Sequence, residues 1–429
     1  MPRIAAPPLD VDRLIDDRRT RIIVCCGSGG VGKTTAAAAI GVRAAERGRH
    51  VVVITVDPAR RLAQSMGLSA LDNTPRPVPG VASGGSGRGH GGSGRGESAG
   101  AGEAGSLHAM MLDMKRTFDE IVEAHADPDR AAQILANPFY QSLSSGFAGT
   151  QEYMAMEKLG QLRRSDEWDL IVVDTPPSRS ALDFLDAPQR LGRFLDGRLL
   201  RLLTVPAKLG GRAYLRVLNV GFGMVTNVLT KILGAQVLRD AQTFVTALDT
   251  MFGGFRERAD YTYQLLRAPG TSFLVIAAPE PDALREASYF VERLALEGMP
   301  LAGLIINRVH SSPAARLSAA RSLAAAEMLA AETQQADGQL ADPPGSKPPA
   351  GSGQSRAGSG ESDDEPHSLA IAALRLHAER MQLAAQERHV AENFTAAHPL
   401  VPVAEVPAQA EDVHDLAGLR AIGESFPAR

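Results

Sequence analysis

The chain has 429 residues, 45 basic and 49 acidic side chains, a formal charge of −4 and 44% hydrophobic residues. That length fits two or three domains, or one large α/β domain with insertions, and the apolar fraction is enough for a sizeable core. No basic face dominates, which argues against nucleic acid as the partner.

Residues 1–20 are rich in Asp and Arg, lack an apolar h-region and are expected to form an N-terminal extension rather than a secretory signal. Arg21 to Cys26 (RIIVCC) is a short apolar run ending at glycines, the pattern of a buried parallel strand. Cys25 and Cys26 are the two cysteines of the chain. Neighbours on a strand face opposite sides, so a disulfide between them is implausible and a reducing, cytoplasmic home is expected. Thr35 to Arg47 predicts an Ala-rich helix and His50 to Val56 a second strand, completing a βαβ unit.

Residues 79–106, dominated by Gly, Ser, Arg and Ala, bury too little apolar surface to offset ordering and are expected to be a disordered insertion. A short strand near Leu107 leads into a helix, and Gln151 to Arg164 predicts another. Asp169 to Val173 is a third buried strand. The mainly helical stretch that follows includes Val217 to Leu238, the longest apolar run. Asn219, Asn227 and Lys231 interrupt that run, so no membrane span is expected. Further strands are expected at Ser272–Ala277, Leu301–Ile306 and Leu400–Val403. The intervening helices are placed over Pro281–Glu297, Pro313–Gln334 and Ser368–Asn393, with a last one from Asp412. Residues 336–367 form a second low-complexity insertion. Alternating strands and helices predict an α/β fold, a mostly parallel, doubly wound sheet with helices on both faces.

Gly27-Ser28-Gly29-Gly30-Val31-Gly32-Lys33-Thr34 fits G-x-x-x-x-G-K-[ST], placed between a strand and a helix as a P-loop requires. Tight glycine turns let successive N–H groups converge on phosphate oxygens, and the helix dipole adds to that field. Lys33 is expected to reach the β- and γ-phosphates of ATP, and the Thr34 hydroxyl to ligate Mg²⁺. Gly29, Gly30, Val31, Gly32 and Thr35 complete the cradle. Asp57 follows the second strand and precedes Pro58, at the carboxyl edge of the sheet. It is a candidate to orient the attacking water or contact Mg²⁺, the alternative being a helix cap. Asp174 ends the third strand and is a Walker-B-like candidate for Mg²⁺ support.

Gly29 to Thr35, Val56-Asp57-Pro58-Ala59-Arg60 and the run from Val172 to Pro188 (VVDTPPSRSALDFLDAP) together resemble the arsenical-pump and tail-anchored-protein-targeting ATPases. These are relatives of the Min and Par ATPases and the nitrogenase iron protein. The resemblance implies that Asp57-Pro58-Ala59 is switch I and Asp174-Thr175-Pro176-Pro177 switch II. It places Asn307 where the family reads adenine and Pro279 in the wall of the base pocket. It also implies a dimer that closes around ATP and opens after hydrolysis. The boundaries that follow are 21–78 and 107–194 for the ATPase core, 195–268 for a helical subdomain, 269–335 for the continued core and 368–429 for its C-terminal part.

Two positions depart from the family pattern. Ser28 stands where the family has a Lys that reaches the partner subunit's nucleotide, so hydrolysis is slow or the charge comes from elsewhere. The zinc-binding Cys pair and the metalloid-binding cysteines of the relatives are absent, and the ten histidines do not fall into metal-ligand spacing. Apolar residues such as Leu218, Phe222, Met224 and Val228 within 195–255 form a candidate groove for a hydrophobic client, against the alternative of ordinary core. The leading expectation is a dimeric Mg·ATP-driven switch. The alternative is a weakly active subunit paired with a paralogous ATPase. A metalloid pump, or a positioning ATPase on membrane or DNA, fits less well.

Overall fold

A computed structural model describes residues 6–56, 61–82, 105–138, 140–141, 150–176, 257, 260–339 and 364–426. Its centre is one eight-stranded sheet. In chain order the strands are β1 (Ile22–Cys26), β2 (His50–Thr55), β3 (Arg76–Ala82), β4 (Ser106–Met111), β5 (Leu170–Asp174), β6 (Thr271–Ala277), β7 (Leu301–Val309) and β8 (Val403–Pro407). Their spatial order is β3-β4-β2-β5-β1-β6-β7-β8. Every pairing is parallel except β3 with β4 at the edge. β1 and β5 are buried at every residue, as expected of central strands covered on both faces.

The helices are α1 (Val11–Asp16), α2 (Lys33–Glu46), α3 (Arg61–Ser65), α4 (Met114–His125), α5 (Pro128–Ala136), α6 (Thr150–Ser165), α7 (Pro281–Leu296), α8 (Ala319–Gln339), α9 (Asp364–Ala397) and α10 (Leu416–Glu424). Ala36 to Ala39, Ala44 and Ala45 are buried on α2, so this small-residue helix lies close against the sheet, and α10 packs against it. From β1 the chain first builds the sheet toward β2 and β4. It later crosses to β6, β7 and β8 on the other side. The carboxyl end of β1, where this direction reverses, is the expected ligand position in an open α/β sheet.

Within the described residues, the strands and helices read from the sequence recur in the same order, but the edge strand β3 and the helices α1, α3 and α5 are not among them, and several bounds shift. Residues 6–20 dock on the core: Val11 and Ile15 are buried, and the Leu9 N–H donates to the Val403 carbonyl at 2.9 Å. Asp12 and Asp16 pair with Arg43 and Arg47 of α2. Buried Arg49 donates to the carbonyls of Ile15, Thr20 and Asp169, tying α1 to the amino edge of the sheet. Strand β3 runs to Ala82, so the first insertion starts later than residue 79, and β4 already includes Ser106. The second insertion is shorter than expected as well, because α8 continues to Gln339 and α9 begins at Asp364. β8 lies over 403–407 rather than 400–403. Leu400 is exposed, whereas Val406 is buried against β7. Among the described residues no helix is long and apolar enough to cross a membrane. Asp57, Pro177 and the candidate client groove within 195–255 lie outside the described residues.

Candidate active site

The loop between β1 and α2 is shaped by steric demands at its two ends. Gly27 has φ +151°, and a Cβ there would collide with the Ile276 carbonyl oxygen of β6. Gly32 has φ +91°, and a Cβ there would collide with the Asn307 carboxamide nitrogen of β7. Both positions therefore require glycine for close approach as well as for backbone conformation. Gly29 and Gly30 are exposed at the crest, Val31 is buried below them, and Thr35 is half-buried on the first turn of α2.

Lys33 is only 6% exposed, and its Nζ donates to the Ser28 carbonyl oxygen at 2.8 Å across the loop. An ammonium has three donors, and this contact uses one of them to position the amine. Thr34 Oγ1 donates to Asp174 Oδ2 at 2.7 Å, and Thr55 Oγ1 donates to the same oxygen at 2.8 Å. Asp174 is fully buried at the end of β5. Its carboxylate is thus held from the neighbouring strand β2 and from the first turn of α2. A hydroxyl that donates to a buried carboxylate turns its own lone pairs outward, as a hydroxyl ligand to a hard cation must. Thr175 Oγ1 donates to the Cys25 carbonyl at 2.9 Å, which anchors the chain leaving β5 against β1.

Asn307 is 8% exposed, and its Nδ2 donates to the Val31 carbonyl at 2.8 Å. It therefore braces the phosphate loop besides lining a cavity of about 470 Å³ with Gly32, Thr34 and Thr35. The same cavity is lined by Gln64 and Ser65 of α3 and by Pro407 to His414, which run from the last residue of β8 toward α10. This C-terminal wall is what the sequence reading missed. Its only local mark is Pro407 ending a strand, a signal too common to single out.

Pro279, expected in the base-pocket wall, is not among the residues that line this cavity. It lines a separate cavity of about 170 Å³ with Ile306, Val309 and Glu387, whereas Asn307 faces the larger cavity. The proline that shares a cavity with Asn307 is Pro407. His310 stands in both walls, and its Nδ1 lies 2.6 Å from Glu387 Oε1.

Cys25 and Cys26 are free and buried beneath the loop. Burial pushes both thiols up, Cys26 to about 12, so neither offers a thiolate near neutral pH. Among the described residues no three His, Cys, Asp or Glu side chains cluster as a metal site.

The profile of a family described as anion-transporting ATPases matches residues 20–78 and 103–327. The unmatched gap falls on the glycine-rich stretch. Among curated proteins, the chain is 27% identical to the ATPase GET3 of Malassezia globosa over 190 residues, 44% of this chain and 49% of that protein. It is 23% identical to the ATPase get3 of Schizosaccharomyces pombe over 306 residues, 71% of this chain and 78% of that one. An ATPase ASNA1 homolog of Cryptosporidium parvum is 23% identical over 283 residues, 66% of this chain and 63% of that protein. The chain thus spans about half the length of the first of these relatives and between three- and four-fifths of the second.

Proposed function

The chain belongs to the anion-transporting ATPase family, and from that premise we propose that it binds and hydrolyses Mg·ATP as a nucleotide-driven switch for a partner-binding surface. The observation that carries the proposal is the cluster of Lys33, Thr34, Thr55 and Asp174 at the carboxyl edge of β1, β2 and β5. Loop amides and the N-terminus of α2 would hold the phosphate chain, with Lys33 on its terminal phosphates. Thr34, oriented by Asp174, would hold Mg²⁺, and the donor set fits a hard cation that prefers oxygen. The ion supplies charge neutralisation on the transferring phosphoryl group. Asp57 is proposed to orient the attacking water, and Asn307 to read the base from the cavity it lines.

Cycling between open and closed dimers, capture of a hydrophobic client by residues 195–255 and a cytoplasmic location are part of the same proposal. The names of the relatives support ATP hydrolysis. The client and dimer rest on the family resemblance and on the apolar sequence of that segment.

A specific observation favours a second reading. Ser28 offers its backbone carbonyl to Lys33 but has no cationic side chain to extend across a dimer interface. A cation supplied in trans is worth about three to five orders of magnitude in related phosphoryl transfers. In this reading the chain is a slow ATPase whose missing charge comes from a paralogous partner.

Measuring ATP turnover by the purified chain, with light scattering in parallel, tests both. ATP-dependent dimer mass with turnover supports the self-sufficient switch. Tight ATP binding without either supports the regulatory subunit. Absence of ATP binding rejects both.

A further inference from the structure

Arg308 follows Asn307 on β7, so in a regular strand the two side chains would face opposite sides of the sheet. They do not. Arg308 has φ +63°, a left-handed conformation uncommon outside glycine, and the β7–β8 register shifts between Asn307 and Val309. The bulge turns Arg308 into the cavity that Asn307 lines, while Val309 resumes the face shared with Ile306. Bulges re-aim single side chains in this way, and a strained backbone persists only where its surroundings hold it. Arg308 is exposed and makes no ion pair among the described residues.

We infer that Arg308 is a nucleotide-contacting residue that lays its guanidinium plane over the purine of the bound nucleotide. The inference rests on the nucleotide-binding reading given above. Three features favour the base over the phosphates. Lys33 and the loop amides already serve the phosphate end. Arg308 neighbours Asn307, the proposed base reader. The same cavity is lined by Glu411 and Asp412, which repel phosphate but tolerate the amine edge of a base. A guanidinium stacks on a flat ring because it is planar and weakly hydrated, properties an ammonium lacks. Arg308 would therefore act on ATP and ADP alike, in the chain that binds them, and would not replace the cation missing at Ser28.

The test compares the unmodified full chain with Arg308→Asn and Arg308→Lys. Asn is at ease in the left-handed region and keeps the bulge. Titration calorimetry with ATP, ADP and inorganic tripolyphosphate is the readout. Thermal melting confirms that each variant is folded. Both variants are expected to bind ATP and ADP about three- to thirtyfold more weakly, with tripolyphosphate binding unchanged. Unchanged ATP and ADP affinity in Arg308→Asn overturns the inference. So does an equal loss for tripolyphosphate, or full rescue by Lys, because either places the side chain on phosphate. If the unmodified chain binds no ATP, the nucleotide-binding reading fails and the inference with it. If it binds ATP and only the Arg308 result is negative, that reading survives alone.

Discussion

The phosphate-facing half of the site and the half beyond it are assembled from different ranges of the chain. The first comes from eight consecutive residues, Gly27 to Thr34, and is completed by Asp174 and Thr55 through hydrogen bonds of 2.7 and 2.8 Å to one buried oxygen. The second takes Gln64 and Ser65 from α3, Asn307 and Arg308 from a bulged β7, and Pro407 to His414 from the end of β8 and the segment after it. The two halves meet at Gly32, where the Asn307 carboxamide occupies the space a Cβ would need. A local motif can be rigid because its own backbone sets its shape. A wall gathered from distant segments is only as well placed as the sheet that carries them.

If that division is right, damage to the first half removes affinity outright, while damage to the second changes which nucleotide binds and how well. Lys33→Ala carries the largest expected effect, a loss of ATP affinity of about a hundredfold, measured by calorimetry. Normal affinity in that variant would break the comparison, since the second half, Arg308 included, is assigned to the base rather than to the terminal phosphates.

Asp174→Asn comes next. The carboxylate acts through Thr34, and loss of such an orienting group weakens a metal by about ten- to a hundredfold, read as a higher Mg²⁺ requirement for turnover. If nucleotide affinity without Mg²⁺ fell equally, Asp174 would be a structural anchor rather than a support for the ion.

Asn307→Ala is expected to have a smaller and more informative effect. It removes the 2.8 Å bond to the Val31 carbonyl and costs about 1–3 kcal/mol through an unsatisfied buried acceptor. Preference for ATP over GTP should also shrink by about tenfold if the carboxamide reads adenine. A lowered melting temperature with unchanged base preference would reassign Asn307 to bracing the loop.

The smallest effect is expected beneath the loop. With its thiol pushed up to about 12 by burial, Cys26 should resist alkylation at pH 8 in the folded chain and react freely once the chain is denatured. Fast reaction in the native state would mean that the loop opens far enough to expose β1.

The same contrast explains how much was legible in advance. β1, the glycine loop, α2 and Asp174 could be read because apolar runs, glycine spacing and a terminal acid are short-range signals. Asn307 could be placed only through a family resemblance. Where Pro279 lies relative to Asn307 could not be read, since which cavity a loop joins depends on strand order and register rather than on distance along the chain. The docking of residues 6–20 escaped notice because Asp12 and Asp16 look like solvated charge until Arg43 and Arg47 stand opposite them.

By itself, the sequence determined that this protein is a P-loop α/β domain of an ATPase family, because a phosphate cradle is built from local backbone conformation that a few contiguous glycines specify. Only the tertiary structure decided what surrounds the cradle: that Thr34 and Thr55 share one oxygen of Asp174, that Pro407 rather than Pro279 stands with Asn307, and that a bulge turns Arg308 toward the same cavity. Those contacts join residues a hundred or more positions apart, and their geometry is set by sheet register and side-chain packing, which no local pattern encodes.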